Sequence, residues 1–72
     1  MTKAVLLKKI GDQIVALRKK QNLTQSDLAH LTGKDRQNIR RLEKGLINPS
    51  IFHLSEIAAA LKVTLSDLLK LD

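Results

Sequence analysis

One stretch of the chain, QSDLAHLTGKDRQNIRRLEK, constrains its fold more than any other. Counted from Gln25, the small Ala29 is the fifth residue and Gly33 is the ninth. Ile39 and Leu42 follow as the fifteenth and eighteenth. Two short helices that cross steeply require a small side chain where their backbones approach, and glycine allows a positive φ in the turn between them. The spacing therefore predicts two short helices joined by a tight turn, the second with an apolar inner edge.

The outer edge of that second helix is basic. At about 100° per residue, its polar side chains fall within an arc of roughly 140°, with the apolar pair roughly opposite. The residues in this arc are Arg36, Gln37, Arg40, Arg41 and Lys44. A basic helix face is usually only a solvated surface, but such surfaces normally mix both signs of charge. Here Asp35 and Glu43 lie at or beyond the margin of the arc, so the pattern indicates contact with nucleic acid.

The charge of the chain is concentrated in its N-terminal part. Residues 1–45 contain eleven Lys and Arg against four acids, or +7, whereas residues 46–72 contain two against three, or −1. A polyanionic partner should therefore meet the N-terminal two-thirds of the chain. Phe52 is the only aromatic residue. Proteins that bind single strands depend on aromatic stacking, so we expect double-stranded DNA as the partner.

Composition excludes several other classes of protein. The 72 residues form one domain, residues 1–72, and the chain has no cysteine for disulfides. The two histidines, His30 and His53, are isolated, so we expect no metal site and no cofactor. Lysines interrupt every apolar run and no signal peptide is evident, so we expect a cytoplasmic protein without a membrane span. No nucleophile is paired with a base in a cleft, so we do not expect an enzyme.

The local signals predict five helices and no strand, an all-α bundle. The first should run from about Lys3 to Gln21, with Gly11 weakening its middle by about 1 kcal/mol, so that the segment before it frays or turns aside. The second should start at a capping box of Thr24 with Asp27 and end at Gly33. The other three are bounded by predicted caps and turn residues, which are Asp35, Gly45, Asn48-Pro49-Ser50, Leu61, Thr64 and Asp67.

Short loops require these helices to pack directly against one another. The predicted core is Leu28, Leu31, Ile39, Leu42, Leu54, Ile57, Ala58, Leu61, Val63 and Leu68. Ile14, Leu17 and Leu23 should close it from the first helix. Burial of each larger side chain stabilises the fold by about 1.5–3 kcal/mol before entropy is counted.

The run from about Gly11 to Leu69 resembles the phage-repressor and Cro type of helix-turn-helix domain, the XRE-like family of bacterial regulators. The matching residues are Leu17-Arg18, Leu23-Thr24-Gln25, Leu28-Ala29, Gly33, Ile39, Leu42-Glu43, Gly45, Asn48-Pro49-Ser50, Ala58, Leu61 and Leu68-Leu69. The resemblance implies a compact five-helix, lambda-repressor-like fold, with the helix-turn-helix proper at residues 25–44. It also implies a transcriptional regulator that binds operator DNA as a symmetric dimer, with its third helix in the major groove.

The resemblance also implies roles for individual residues. Arg36, Gln37 and Arg41 fall where family members contact base edges, and Arg40 beside them would reach bases or phosphate. Gln25 matches a residue that clamps a phosphate and steadies the third helix, and Lys44 and Asn48 match phosphate-contacting positions around the loop. Arg18 and Glu43 match a charged pair that ties the first helix to the third. One position departs from the family pattern: Lys34 stands where an apolar residue is common, and its ammonium would extend towards phosphate.

A single module of this size contacts few bases, so a symmetric pair would double the readout, with half-sites about 34 Å apart. Leu65, Leu69 and Leu71 exceed what a small core can hide, and with Phe52 they form the predicted homodimer interface. Two alternatives remain. An antitoxin or other protein-binding module would have a toxin or another protein as its main partner. A membrane-surface binder would use the basic, amphipathic first helix, although that apolar stripe is better suited to closing the core.

Overall fold

The computed structural model describes residues 1–71, which contain five α-helices and no β-strand. The helices are α1 (Lys3–Lys20), α2 (Gln25–Thr32), α3 (Arg36–Glu43), α4 (Ile51–Ala60) and α5 (Leu65–Leu68). Helix α1 packs against α3 and α5, α2 packs against α3 and α4, and α4 packs against α5. The predicted all-α fold is confirmed. Within these residues no helix is both long and apolar enough to cross a bilayer.

Each helix begins where a short polar side chain accepts a backbone hydrogen bond from the first turn. The five N-caps are Thr2, Thr24, Asp35, Ser50 and Thr64. Two of them form reciprocal capping boxes. Asp27 and Asp67 accept the backbone N–H of Thr24 and Thr64 at 2.8 and 3.2 Å, and these hydrogen bonds lower the pKa of both carboxyl groups. The predicted helix starts are confirmed. They could be predicted from the sequence because capping depends on nearby residues alone.

Helices α1 to α4 end with the same backbone device. A residue with positive φ reverses the chain, and the next residue donates its N–H to a carbonyl five positions earlier. The reversing residues are Asn22, Gly33, Gly45 and Lys62, with φ of 58, 66, 74 and 59°. The donors that follow them are Leu23, Lys34, Leu46 and Val63. Gly33 and Gly45 therefore end α2 and α3 as predicted.

The core lies where the inner faces of the helices meet. Its fully buried side chains are Ile14, Leu28, Ile39, Leu42, Ile57, Leu61 and Leu68. The core also includes Ile10, which is 6% exposed and was missing from the predicted core. Leu31 was predicted to be buried but is 55% exposed. Helix α2 points Leu28 and Ala29 inward, and Leu31 lies about 110° from the direction midway between them.

The predicted fraying at Gly11 does not occur, because this glycine is a contact between two backbones. Helix α1 is continuous from Lys3 to Lys20, and Gly11 is buried. A Cβ atom placed on Gly11 would lie 2.3 Å from the carbonyl oxygen of Glu43 and 2.7 Å from its carbonyl carbon. Glycine at this position therefore lets α1 cross the C-terminal end of α3 more closely than a residue with a side chain would allow.

Substitution of Gly11 by alanine should destabilise the protein by about 1–3 kcal/mol, because backbone cannot move aside as a flexible side chain can. Helix propensity alone predicts the opposite sign, a gain of about 1 kcal/mol. The free energy of unfolding, measured by urea denaturation with circular dichroism, distinguishes the two. As a control, Ala16→Gly at an exposed position of α1 should cost only about 1 kcal/mol. A Gly11→Ala variant as stable as the wild type would show that the two backbones are not in contact.

Candidate nucleic-acid interface

Helix α3 buries one face and exposes the other. The side chains of Ile39 and Leu42 are 0% and 1% exposed, so they anchor α3 to the core. The exposed residues of α3 and its C-cap are Arg36, Gln37, Arg40, Arg41 and Lys44. We call these five residues the α3 outer face; they are the residues of the predicted basic arc. Their guanidinium, ammonium and amide groups match the acceptors of base edges and phosphates in duplex DNA.

The turn that precedes α3 is fixed by its backbone and by one carboxylate. The Oδ1 atom of Asp35 accepts a hydrogen bond from the backbone N–H of Asn38 at 2.6 Å. This places a negative charge at the positive end of the helix dipole. The backbone N–H of Lys34 donates to the carbonyl of Ala29 at 3.0 Å, while its side chain stays exposed. A lysine at position 34, where the family commonly has an apolar residue, is therefore compatible with the hydrogen-bonded turn between α2 and α3.

A buried ion pair connects α1 to α3. The Nε atom of Arg18 lies 2.6 Å from Oε2 of Glu43, and its Nη2 atom donates to Oε1 at 3.1 Å. The third nitrogen of the guanidinium, Nη1, donates to the carbonyl of Leu23 at 2.8 Å. The two charged residues are only 8% and 4% exposed. Because the carboxylate of Glu43 is neutralised inside the protein, α3 shows no acidic side chain on its outer face.

Gln25 extends this network to the start of α2. Its Nε2 atom donates to Oε1 of Glu43 at 2.9 Å, which leaves the second amide N–H free. Gln25 also lines an open cleft, together with Arg18, Asn22, Leu23, Thr24, Ser26 and Arg36. The cleft joins the N-terminus of α2, where free backbone N–H groups favour an anion, to the first arginine of α3. Its chemistry suits a phosphate group.

The other residues predicted to contact phosphate lie around the two ends of α3, and all are exposed. Lys34 precedes the helix, Lys44 caps its C-terminus and Asn48 lies in the loop to α4. Lys34 also acts on α4: burial lowers the pKa of His53, the charge of Lys34 lowers it further, and Glu56 opposes the shift. The lowered pKa favours the neutral form of the imidazole, so Lys34 faces it as a cation without a second positive charge of equal weight.

The four residues predicted to form a dimer interface do not share one environment. Phe52 is 71% exposed on the first turn of α4, beside Ile51, which is 65% exposed. Leu65, Leu69 and Leu71, expected to exceed the core, instead pack against it and are partly buried. They are accommodated because α5 lies against both α1 and α4. Of the predicted interface residues, the strongly exposed one therefore lies on α4 and not in the leucine-rich C-terminal segment.

Two features of the site were not predicted from the sequence. One is the residue through which Gln25 steadies α3, which is Glu43, and the other is the use of the Leu23 carbonyl by Arg18. Both depend on three helices meeting at one point, for which local spacing gives no signal. Among residues 1–71, no group of three or more His, Asp or Glu side chains could hold a metal ion.

Comparison with known proteins identifies the fold family. The helix-turn-helix family model matches residues 14–68, a span that includes α2, α3 and the network between them. The chain belongs to the helix-turn-helix family. An uncharacterised HTH-type transcriptional regulator of Sinorhizobium fredii is 35% identical over 57 residues, which are 79% of this chain and 74% of that protein. The family predicted from the sequence is thus confirmed.

Two solved structures extend the comparison of this helix-turn-helix protein. The restriction-modification controller protein C.AhdI from Aeromonas hydrophila superposes with a TM-score of 0.84 and 34% identity, over 86% of this chain and 94% of the controller. The restriction-modification controller protein C.Esp1396I gives a TM-score of 0.81 and 31% identity, over 89% of this chain and 86% of the controller. Both superpositions cover most of this chain and most of the controller protein. The structural similarity therefore extends beyond the two helices of the helix-turn-helix, α2 and α3.

Removal of one partner from the Arg18–Glu43 pair should be costly. An Arg18→Met variant leaves the carboxylate of Glu43 buried and uncompensated, and should lose about 3–5 kcal/mol of stability. An Arg18→Met/Glu43→Leu double variant should recover most of that loss, because neither charge then remains buried. Lys8→Met breaks the exposed pair with Asp12 and serves as the control, with a cost of about 0–1 kcal/mol. Additive losses in a double-mutant cycle, measured by urea denaturation, would contradict the coupling.

Proposed function

We propose that this protein is a DNA-binding transcriptional regulator that inserts α3 into the major groove of an operator and acts as a homodimer. The observation that carries the proposal is the α3 outer face, four cationic side chains and one amide with no exposed acid among them. Double-stranded DNA presents both the phosphates and the base-edge acceptors that such a surface binds. Because DNA is the partner, we propose that the protein acts in the cytoplasm.

Base reading is assigned to Arg36, Gln37 and Arg41, with Arg40 beside them. An arginine fork matches O6 and N7 of guanine, and a glutamine amide matches N6 and N7 of adenine. All four side chains are exposed on α3, which is itself held by buried residues on its other face. A rigid helix with free outer side chains is the arrangement that groove readers require.

Phosphate contacts are assigned to Gln25, Lys34, Lys44 and Asn48. These residues surround α3 at the start of α2, in the turn before α3, and at and after its C-terminus. Contacts on both sides of a groove fix the register of the helix between the two strands but carry no sequence information themselves. The hydrogen bond from Gln25 to Glu43 supports the phosphate-contacting role of Gln25, since it connects this residue directly to α3.

The proposed dimer interface includes Phe52 and the partly exposed Leu65, Leu69 and Leu71. Next to Phe52, an apolar groove of about 460 Å³ runs between α1 and α4. It is lined mainly by apolar side chains, among them Leu6, Ile51, Leu69 and Leu71. The interface residues belong to the part of the chain with little net charge, so two copies can approach without opposing their basic faces. Pairing would place two α3 helices on half-sites about 34 Å apart.

The base and phosphate roles predict different responses to mutation. Arg41→Ala should relax preference at particular base pairs, by about 1–3 kcal/mol if the contact is bidentate. Lys44→Ala should weaken binding to all duplexes alike and reduce the slope of log affinity against log salt by about 0.9. Selection of bound duplexes from a random pool, followed by salt titrations of the selected site, measures both. An Arg41→Ala variant with unchanged base preference would limit this arginine to phosphate contact.

The dimer predicts that a charge on α4 will separate the two copies. Phe52→Glu should lower the dimer fraction at micromolar concentration and reduce affinity for a palindromic site more than for a single half-site. Leu31→Glu introduces the same charge at another exposed apolar residue and should change neither property. Analytical ultracentrifugation with and without duplex provides the measurement. If the wild type binds its selected site as a monomer and that site is not palindromic, the dimer is excluded.

A further inference from the structure

Helix α1 brings a lysine next to the C-terminal end of α3. A Cβ atom placed on Gly45 would lie 2.9 Å from the backbone nitrogen of Lys8 and 3.0 Å from its Cα atom. Gly45 directly follows Lys44, the last residue of the α3 outer face. One helical turn further along α1, Gly11 contacts the backbone of Glu43. The backbone of Lys8 is therefore in contact with the loop that leaves α3.

On α1, Lys8 lies on the side of this junction that faces away from the core. Gly11 and Arg18 of α1 both contact α3, and Ile14 points into the core. At about 100° per residue, Lys8 lies about 60° from Gly11 around the axis of α1. Ile14 lies on the other side of Gly11.

The α3 outer face occupies the matching side of α3. The carbonyl groups of Leu42 and Glu43 lie against α1, and Ile39 points into the core. At the same 100° per residue, Arg40 and Lys44 lie about 60° and 100° from Glu43 around the axis of α3. Ile39 lies on the other side of Glu43. Lys8 and the α3 outer face therefore border the same solvent-facing side of the α1–α3 junction.

Lys8 is held there by an acid of its own helix. Its Nζ atom lies 2.6 Å from Oδ1 of Asp12, and the two side chains are 59% and 60% exposed. Asp27 and Asp35 accept backbone N–H groups at helix starts, and Glu43 is buried against Arg18. Of the four acids in the basic part of the chain, Asp12 is thus the one that is bonded to a surface lysine.

We propose that Lys8 is a further phosphate contact of the bound duplex, and that Asp12 is an internal competitor which Lys8 exchanges for a phosphate group. The inference rests on the proposed DNA binding and extends its interface to α1. An exposed pair contributes little stability, and lysine before the acid is the weaker order on a helix. Contact with a phosphate instead releases a condensed counterion, which favours the exchange. Asp12 therefore limits the affinity of the protein for DNA.

The test uses the full chain and two duplexes, the site selected from a random pool and an unrelated sequence. Fluorescence anisotropy over a range of salt concentrations compares the wild type with Lys8→Gln, Asp12→Asn and the double variant. Lys62→Gln is the matched control, since Lys62 is an exposed lysine at the end of α4. Equal thermal melting curves would show that the variants are folded alike.

Lys8→Gln should weaken binding to both duplexes by the same factor and reduce the salt slope by about 0.9, whereas Lys62→Gln should leave the slope unchanged. Asp12→Asn should strengthen binding in the wild-type background but not in the Lys8→Gln background. A Lys8→Gln variant with the wild-type slope would overturn the phosphate contact. An equal gain from Asp12→Asn in both backgrounds would overturn the exchange. If the wild type bound neither duplex, the proposed function itself would fail.

Discussion

The buried contact between Arg18 and Glu43 determines how the rest of the structure is arranged. Its two hydrogen bonds join α1 to α3, the third donor of Arg18 fixes the chain before α2, and Gln25 adds α2 itself. Three helices are thereby held at a single carboxylate. A helix that reads base edges must be positioned to a fraction of an ångström, and a buried, hydrogen-bonded charge network that joins three helices restricts its position.

The same contact also shapes the electrostatic surface. The only carboxylate within α3 is turned inward and neutralised, while the other side of the helix keeps its cations in solvent. The close approach at Gly11 makes this possible, because a side chain there would push α1 away from Glu43. Packing and charge are therefore not independent: the glycine permits the ion pair, and the ion pair leaves α3 with an outer face of one sign.

Much of the fold could be predicted because its signals are local. The pairing of Thr24 with Asp27, and the glycines that end α2 and α3, act within one helical turn of the residues that they control. The α3 outer face was also predictable, since the orientation of a short amphipathic helix follows from its two apolar residues. The match to a helix-turn-helix family model agrees with these local patterns.

The errors concern contacts between residues far apart in the chain. Gly11 was expected to weaken α1, because helix propensity does not register the α3 backbone pressed against it. Leu31 was assigned to the core, yet it lies on a side of α2 that leaves it 55% exposed. Leu65 and Leu69 were expected to remain outside a small core, but the two helices flanking α5 leave room for them. Each of these outcomes is decided by where a second helix lies, and short-range spacing contains no measure of that.

The central claim, that the α3 outer face enters the groove of duplex DNA, is tested most directly by nuclear magnetic resonance. Isotope-labelled protein is titrated with its selected duplex, and the perturbed amide and side-chain signals are mapped onto the structure. We expect the largest changes at α3, at Gln25 and in the loop from Lys44 to Asn48, with little change around Leu31 and Lys62. Perturbations centred on α4 and the end of α2, with α3 unaffected, would contradict it.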